Sequence, residues 1–210
     1  MTDGSYKTVA REAKDEFTEK KSVFIGHAKP IESEEQALDF IKTIEKRYGD
    51  AAHNCYAYIN KEQNIVRFND NGEPQGTAGL PILEVIKREE LCGVVIVVTR
   101  YFGGILLGAG GLVRAYSKAA KIAIDAAGIT TFCPFSMFDI KINYTLYNKL
   151  LHDFEKYHIR CVDSRFDSEI TLTLTLRSDR LDGYCNYLKD VSGGKLQIEN
   201  LKTVYDNCEL

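Results

Sequence analysis

Five β-branched residues in a row, Val94-Val95-Ile96-Val97-Val98, run almost directly into RYFGGILLGAGGLVR at 100–114, and this junction constrains the fold more than any other stretch. A half-buried strand alternates apolar and polar residues. This one does not, so it reads as a strand buried on both faces, with layers packed above and below it. The segment that follows holds five of the chain's sixteen glycines. Glycine is costly to order and is placed where backbone bends or approaches something closely. An alanine-rich amphipathic helix is expected from about 110 to 127, with Leu112, Tyr116, Ala119, Ala123 and Ala126 on one side. Arg114, Lys118, Lys121 and Asp125 form a stripe on another side.

The flanking segments complete an α/β pattern. KSVFIGHAK (21–29) reads as a strand after a charged approach, DEFTEKK. Ser33 and Gln36 sit at capping-box spacing before the helical period Ala37, Leu38, Ile41, Ile44. NCYAYI (54–59) and NIVRF (64–68) read as a hairpin across the polar turn Asn60-Lys61-Glu62-Gln63. The turn-rich DNGEPQGTAG (70–79) leads into a helix that tolerates Pro81 in its first turn. Near TTFCPF (130–135) the texture changes, and a domain boundary is placed there, giving domains 1–134 and 135–210. The remainder orders itself as βαββαβ, a ferredoxin-like unit in which ITLTLTL (170–176) alternates strictly and Ser178 is a candidate helix cap. The fold class is α+β.

Composition excludes little but bounds the partners. Net charge is −3, so any nucleic-acid site must be a local patch rather than a global field. No apolar run reaches the roughly 20 residues of a membrane span. The N-terminal stretch lacks a signal-peptide core, so a cytoplasmic protein is expected. Its six scattered cysteines, with no C-x-x-C pair, are expected to be reduced thiols. Asn143-Tyr144-Thr145 spells a glycosylation acceptor, a chance match in that setting.

Known chemical motifs fit poorly. A dinucleotide fingerprint starting at Gly108 meets Val113 where a small residue is needed. Gly103 to Gly108 has P-loop spacing, but Ala109 and Gly110 replace the lysine and hydroxyl residue. His152 and His158 are six apart, not on one helix face. His53 and Cys55 share a strand face and form a conceivable nucleophilic pair, although a buried thiol beside an edge residue is the plainer account. No catalytic residue, metal ligand or cofactor is assigned.

The physics of the glycine loop leaves two accounts open. A helix start offers free N–H groups and positive partial charge, and no Ser, Thr, Asp or Asn stands at 108–111 to cap it. An anion is therefore expected near Gly110 and Gly111, on a loop also containing Gly103, Gly104 and Gly108, within reach of Arg100 or Arg114. Tyr101 and Phe102 beside Arg100 suit base stacking or a protein partner. Alternatively, the aromatics are core and the glycines serve only helix–strand packing.

The blocks HNCYAY, DNGEPQGTAGLPILEVI and VVIVVTRYFGGILLGAGGLVRAYSKAA, in that order within about 18–127, resemble the IMPACT/YigZ family. The tail is similar to the smaller C-terminal domain of its bacterial members. The resemblance implies an N-terminal α/β sandwich like the second domain of small-subunit ribosomal protein five and domain IV of elongation factor G. It also implies a C-terminal domain like that factor's ferredoxin-like domain V. Eukaryotic relatives regulate translation by competing for a kinase activator, a role that does not carry over to a two-domain bacterial-type chain. By fold kinship, a non-enzymatic RNA- or ribosome-associated protein is expected, with Arg100, Tyr101, Phe102, Arg114, Lys118 and Lys121 at its binding face. A phosphate-binding enzyme using the glycine loop, with Asp70, Glu73 and Glu84 as the nearby acidic groups, and a protein-interaction module are the alternatives.

Overall fold

The computed structural model describes residues 4–61 and 65–208. The chain divides into one unit spanning Tyr6–Thr131 and a second formed by the residues from Phe132 onward together with Gly4 and Ser5.

The first unit is built on an antiparallel sheet of order β2-β3-β6-β4-β5, comprising β2 (Ala13–Glu19), β3 (Ser22–Pro30), β6 (Val94–Tyr101), β4 (His53–Ile59) and β5 (Val66–Asn69). The β-branched run is the central strand. Val94, Ile96 and Val98 enter one core with α2 (Gly79–Arg88) and α3 (Ala109–Ala127), while Val95 and Val97 enter another with α1 (Glu34–Arg47). Both faces are covered, which is why alternation is absent there. In α1, Ser33 Oγ accepts from the backbone N–H of Gln36, as the spacing predicts, but Gln36 Oε1 reaches back to the N–H of Glu32 rather than Ser33.

Two strands were not legible. β1 (Tyr6–Val9) is short, and its backbone is held by bonds such as Cys92 N–H to Lys7 O. DEFTEKK is not merely an approach: its residues through Glu19 belong to β2, an edge strand whose mostly exposed, charged side chains hide its period. Lys20 and Lys21 form the tight turn into β3, both with positive φ (44° and 65°), as a two-residue hairpin connection requires. In the β4–β5 hairpin, Glu62, Gln63 and Asn64 of the expected turn and strand start lie outside the described residues.

The second unit follows the order β7 (Ile129–Ile142), α4 (Tyr144–Tyr157), β8 (Arg160–Phe166), β9 (Ile170–Arg177), α5 (Leu181–Ser192), β10 (Ile198–Asn207). Its sheet runs β10-β7-β9-β8 with antiparallel neighbours, the ferredoxin-like arrangement expected from the pattern. TTFCPF is strand within β7, not a coil. Asn143 is the N-cap of α4, its Oδ1 accepting from the N–H of Leu146 at 2.9 Å. Ser178 does not cap a helix. It begins a short 3-10 turn before α5 and shares a 2.9 Å hydrogen bond with Ser136 Oγ.

The reduced-thiol expectation fails at one pair. Cys133 and Cys208 are disulfide-bonded, with Cα atoms 5.2 Å apart. They lie 75 residues apart in sequence, and only the β7–β10 pairing, where Cys133 faces Asp206, brings them together. Cys55, Cys92, Cys161 and Cys185 are free.

The alanine face of α3 lies almost on β3. A Cβ added to Gly26 would stand 2.2 Å from the carbonyl oxygen of Ala119. Gly26→Ala must therefore push helix and sheet apart. It should cost about 3 kcal/mol, the upper range of overpacking, and urea unfolding monitored by circular dichroism should read the loss.

His27, next along β3, is 2% exposed and lies 3.4 Å through Nε2 from Thr99 Oγ1, which itself donates to Asn54 Oδ1. Burial, then the positive charges of Lys14 and Arg47, depress its pKa to about 4. Because the folded pKa lies below the unfolded one, the unfolded chain takes the proton first. Stability is complete above about pH 6.5 and falls as pH drops toward about 4. In unfolding titrations at pH 7.5 and 4.5, His27→Gln should show a smaller loss between the two than wild type, by up to roughly 3 kcal/mol.

Candidate functional site

The DNGEPQGTAG loop, the end of β6 and the glycine loop meet on one side of the first unit. Asp70 organises the first of these. Its Oδ1 accepts from the N–H groups of Ala78 and Gly79, and Oδ2 from that of Gly76, at 2.8–3.0 Å. It caps α2 from eight residues upstream, since Ala78 at the N-cap position offers no side-chain bond.

Glu73 anchors the centre. It is 8% exposed, and its Oε1 accepts from Arg100 Nη1 at 2.5 Å and from Tyr116 Oη at 2.8 Å. His53 Nε2 stands 3.9 Å from the same oxygen, while His53 Nδ1 is 2.8 Å from the carbonyl of Asn71. A carbonyl can only accept, so Nδ1 carries the proton in this arrangement. One carboxylate thus ties the loop to β6 and to α3.

This corrects the expected role of Arg100. It is 5% exposed and paired with Glu73, so it does not belong to a basic surface. The sequence could not show this because Glu73 lies 27 residues upstream. Lys121 is also neutralised, by Asp125 at 2.5 Å and Glu89 at 3.6 Å. Tyr101 donates its hydroxyl to Asp50 at 2.8 Å. Phe102 is not core: it is 51% exposed, with the Arg100 guanidinium carbon 5.5 Å from its ring centre.

Arg114 and Lys118 remain exposed, the Lys118 ammonium lying 4.2 Å from the centre of the Phe17 ring. The fold adds a cation that the sequence reading missed, Lys20 at the β2–β3 turn. Lys20, Arg114 and Lys118 line one hollow of about 220 Å³ with Glu19, Leu107 and Gly111. Only the β2–β3 hairpin beside α3 brings them together.

The glycines of the loop divide by purpose. A Cβ on Gly103 would meet the Lys21 carbonyl carbon at 2.0 Å, so this residue permits the loop to lie on the lysine turn. Gly104 and Gly108 adopt φ of +81° and +71°. On Gly111, a Cβ would crowd the Leu107 side chain at 2.9 Å, whereas Gly110 faces open space, its nearest neighbour being Arg114 Nη1 at 3.7 Å. The N-terminal turn of α3 has no side-chain cap, and Gly108, Ala109 and Gly110 are exposed. The Arg114 guanidinium thus lies beside the position expected for the anion at Gly110, while that of Arg100 is held by Glu73.

The nucleophilic pair is not supported by the chemistry. Cys55 donates its thiol to the carbonyl of Asp70, and burial pushes its pKa up to about 12, leaving negligible thiolate at neutral pH. The three acidic groups considered for a metal-assisted enzyme are engaged: Asp70 with backbone, Glu73 with Arg100 and Tyr116, Glu84 with Lys87.

Comparison with known proteins places this architecture. The Impact N-terminal domain matches residues 20–124, and a domain of unknown function, DUF1949, matches 140–195. A curated relative from Bacillus subtilis, IMPACT family member YvyE, is 33% identical over 96% of this chain and 93% of its own length. This chain belongs to the IMPACT family. IMPACT family member YigZ of Escherichia coli is 29% identical over 85% of the chain and 89% of its own length. The mouse Protein IMPACT is 35% identical over 52% of the chain and 36% of its own length. A solved structure described as a hypothetical protein is 27% identical with a TM-score of 0.63, covering 93% of this chain and 96% of that one. Among the described residues, no helix is long and apolar enough to cross a membrane.

The IMPACT N-terminal match, residues 20–124, contains Lys20, Arg114 and Lys118, the glycine loop and the Glu73–Arg100 pair. Its integrity depends on the buried pair. Glu73→Ala would leave the Arg100 charge and the Tyr116 hydroxyl without their acceptor. Removing one partner of a buried ion pair costs about 3–5 kcal/mol, and thermal unfolding should show a loss of that size.

Proposed function

We propose that this IMPACT family protein is a non-enzymatic RNA-binding protein of the translation apparatus. It engages phosphates at the first turn of α3 and the cations around it. The observation that carries this reading is the exposed start of the 19-residue α3, without a side-chain cap, set beside Lys20, Arg114 and Lys118. Unpaired N–H groups and the helix dipole favour an anion, and phosphates are positioned by such contacts without regard to base sequence. The chain's net charge of −3 confines attraction to this patch, which suits a local footprint rather than coating of a polyanion. Exposed Phe102 and Leu106 border the patch and add apolar contact.

Affinity for a labelled single-stranded RNA, followed by fluorescence anisotropy, should fall linearly with salt on logarithmic axes. The double substitution Arg114→Ala with Lys118→Ala should weaken binding about 10- to 100-fold for all sequences and reduce the salt slope by about one to two. Gly110→Val, which adds bulk over the open first turn, should weaken it too. Lys42→Ala on α1, distant in the fold, should not. Absence of RNA binding by wild type at low salt would sink the proposal.

A further inference from the structure

We propose that the Cys133–Cys208 disulfide is a reversible redox latch on β10, and that a dithiol reductant opening it frees the outer half of this strand from β7.

β10 is divided by its own backbone. Its pairing with β7 breaks register between Glu199 and Lys202, and Asn200 inside the break adopts a φ of +52°. Such a break bends an antiparallel pair and interrupts its ladder. The half before it is anchored. Ile198 packs against the core of the second unit, Glu199 accepts from Lys141, and Asn200 donates to Asp139, both bonds at 2.8 Å.

The half beyond the break, Lys202 to Asn207, is held differently. It contributes no side chain to that core, and Lys202, Thr203 and Tyr205 are exposed. Its ties include backbone pairing with β7 from Phe132 to Met137, the ion pair of Asp206 with Arg160 at 2.8 Å, and the covalent bond. Segments with few buried apolar side chains open locally at low cost. The disulfide closes the strand at the far end from its apolar anchor, where it has most effect on that opening. The other four cysteines are free, so this bridge stands alone rather than within a stabilising framework.

The two sulfurs are unequally placed for exchange. Cys133 is 3% exposed, whereas Cys208 is half-buried. A thiolate therefore attacks Cys208 Sγ, forming a mixed disulfide and expelling Cys133 as thiolate. Ser5 donates its hydroxyl to Cys133 Sγ at 3.4 Å, a contact that stabilises the leaving sulfur. The second thiol of the reductant then attacks the mixed disulfide and releases Cys208. In sum, two electrons and two protons pass from the dithiol to the cysteine pair, and the dithiol becomes a disulfide.

The test is hydrogen–deuterium exchange on the full chain, read by mass spectrometry with the pair closed by glutathione disulfide or opened by dithiothreitol. Opening should speed exchange at 202–207 by about tenfold or more, while β9 changes by less than about twofold. Closing the pair again should restore protection, and Cys208→Ser should exchange at the fast rate with either reagent. Failure of the pair to close with glutathione disulfide, or resistance of the closed pair to dithiothreitol, overturns the latch. So does unchanged exchange at 202–207 once opening is verified by mass. Equal loss of protection in β9 also overturns it, because the bond would then be a staple of the whole second unit.

Discussion

The bond between Glu73 and Arg100 holds the working side of the first unit together. One buried carboxylate oxygen receives the guanidinium from the end of the central strand and the Tyr116 hydroxyl from α3. Glu73 itself comes from an irregular loop that has no sheet or helix to fix it. Burying a charge is costly unless it is paired and hydrogen-bonded, so the loop, the strand end and the helix are held in one arrangement by mutual need. The position of Phe102, just past the end of β6 and two residues after Arg100, follows from that arrangement.

A second constraint is the depth of contact between α3 and β3. Gly26 and the run Ala115, Ala119, Ala120 and Ala123 remove side-chain bulk, so helix and sheet backbones nearly touch. Close approach brings the helix start level with the β2–β3 turn, and Gly103 lets the glycine loop settle over Lys21. The basic patch is therefore a product of packing: small residues in the core decide which cations share a surface.

Legibility followed the range of each interaction. The doubly buried strand, the α3 helix, the absence of a side-chain cap and the βαββαβ tail were visible because each is written in local spacing. β2 was not, because an exposed edge strand has little apolar period to show. The sequence stripe Arg114, Lys118, Lys121 looked uniformly basic, yet Glu89 and Asp125 neutralise its last member. Arg100 looked like a ligand-facing cation because its partner is distant in sequence. The disulfide was hidden for the same reason, since strand pairing alone unites Cys133 with Cys208. His53 and Glu73 were each in view, but nothing in their spacing placed them in one cleft.

The two helices on the inner side of the first sheet begin in opposite conditions. Asp70 acts as a resident anion at α2, occupying its first N–H groups through a short turn of the same chain. Among the described residues α3 has no such side-chain cap, and its first turn lies open beside Arg114. An anion arriving at α2 would have to evict a carboxylate and undo three hydrogen bonds. One arriving at α3 exchanges only with solvent, so entry and departure there leave the protein's own framework intact.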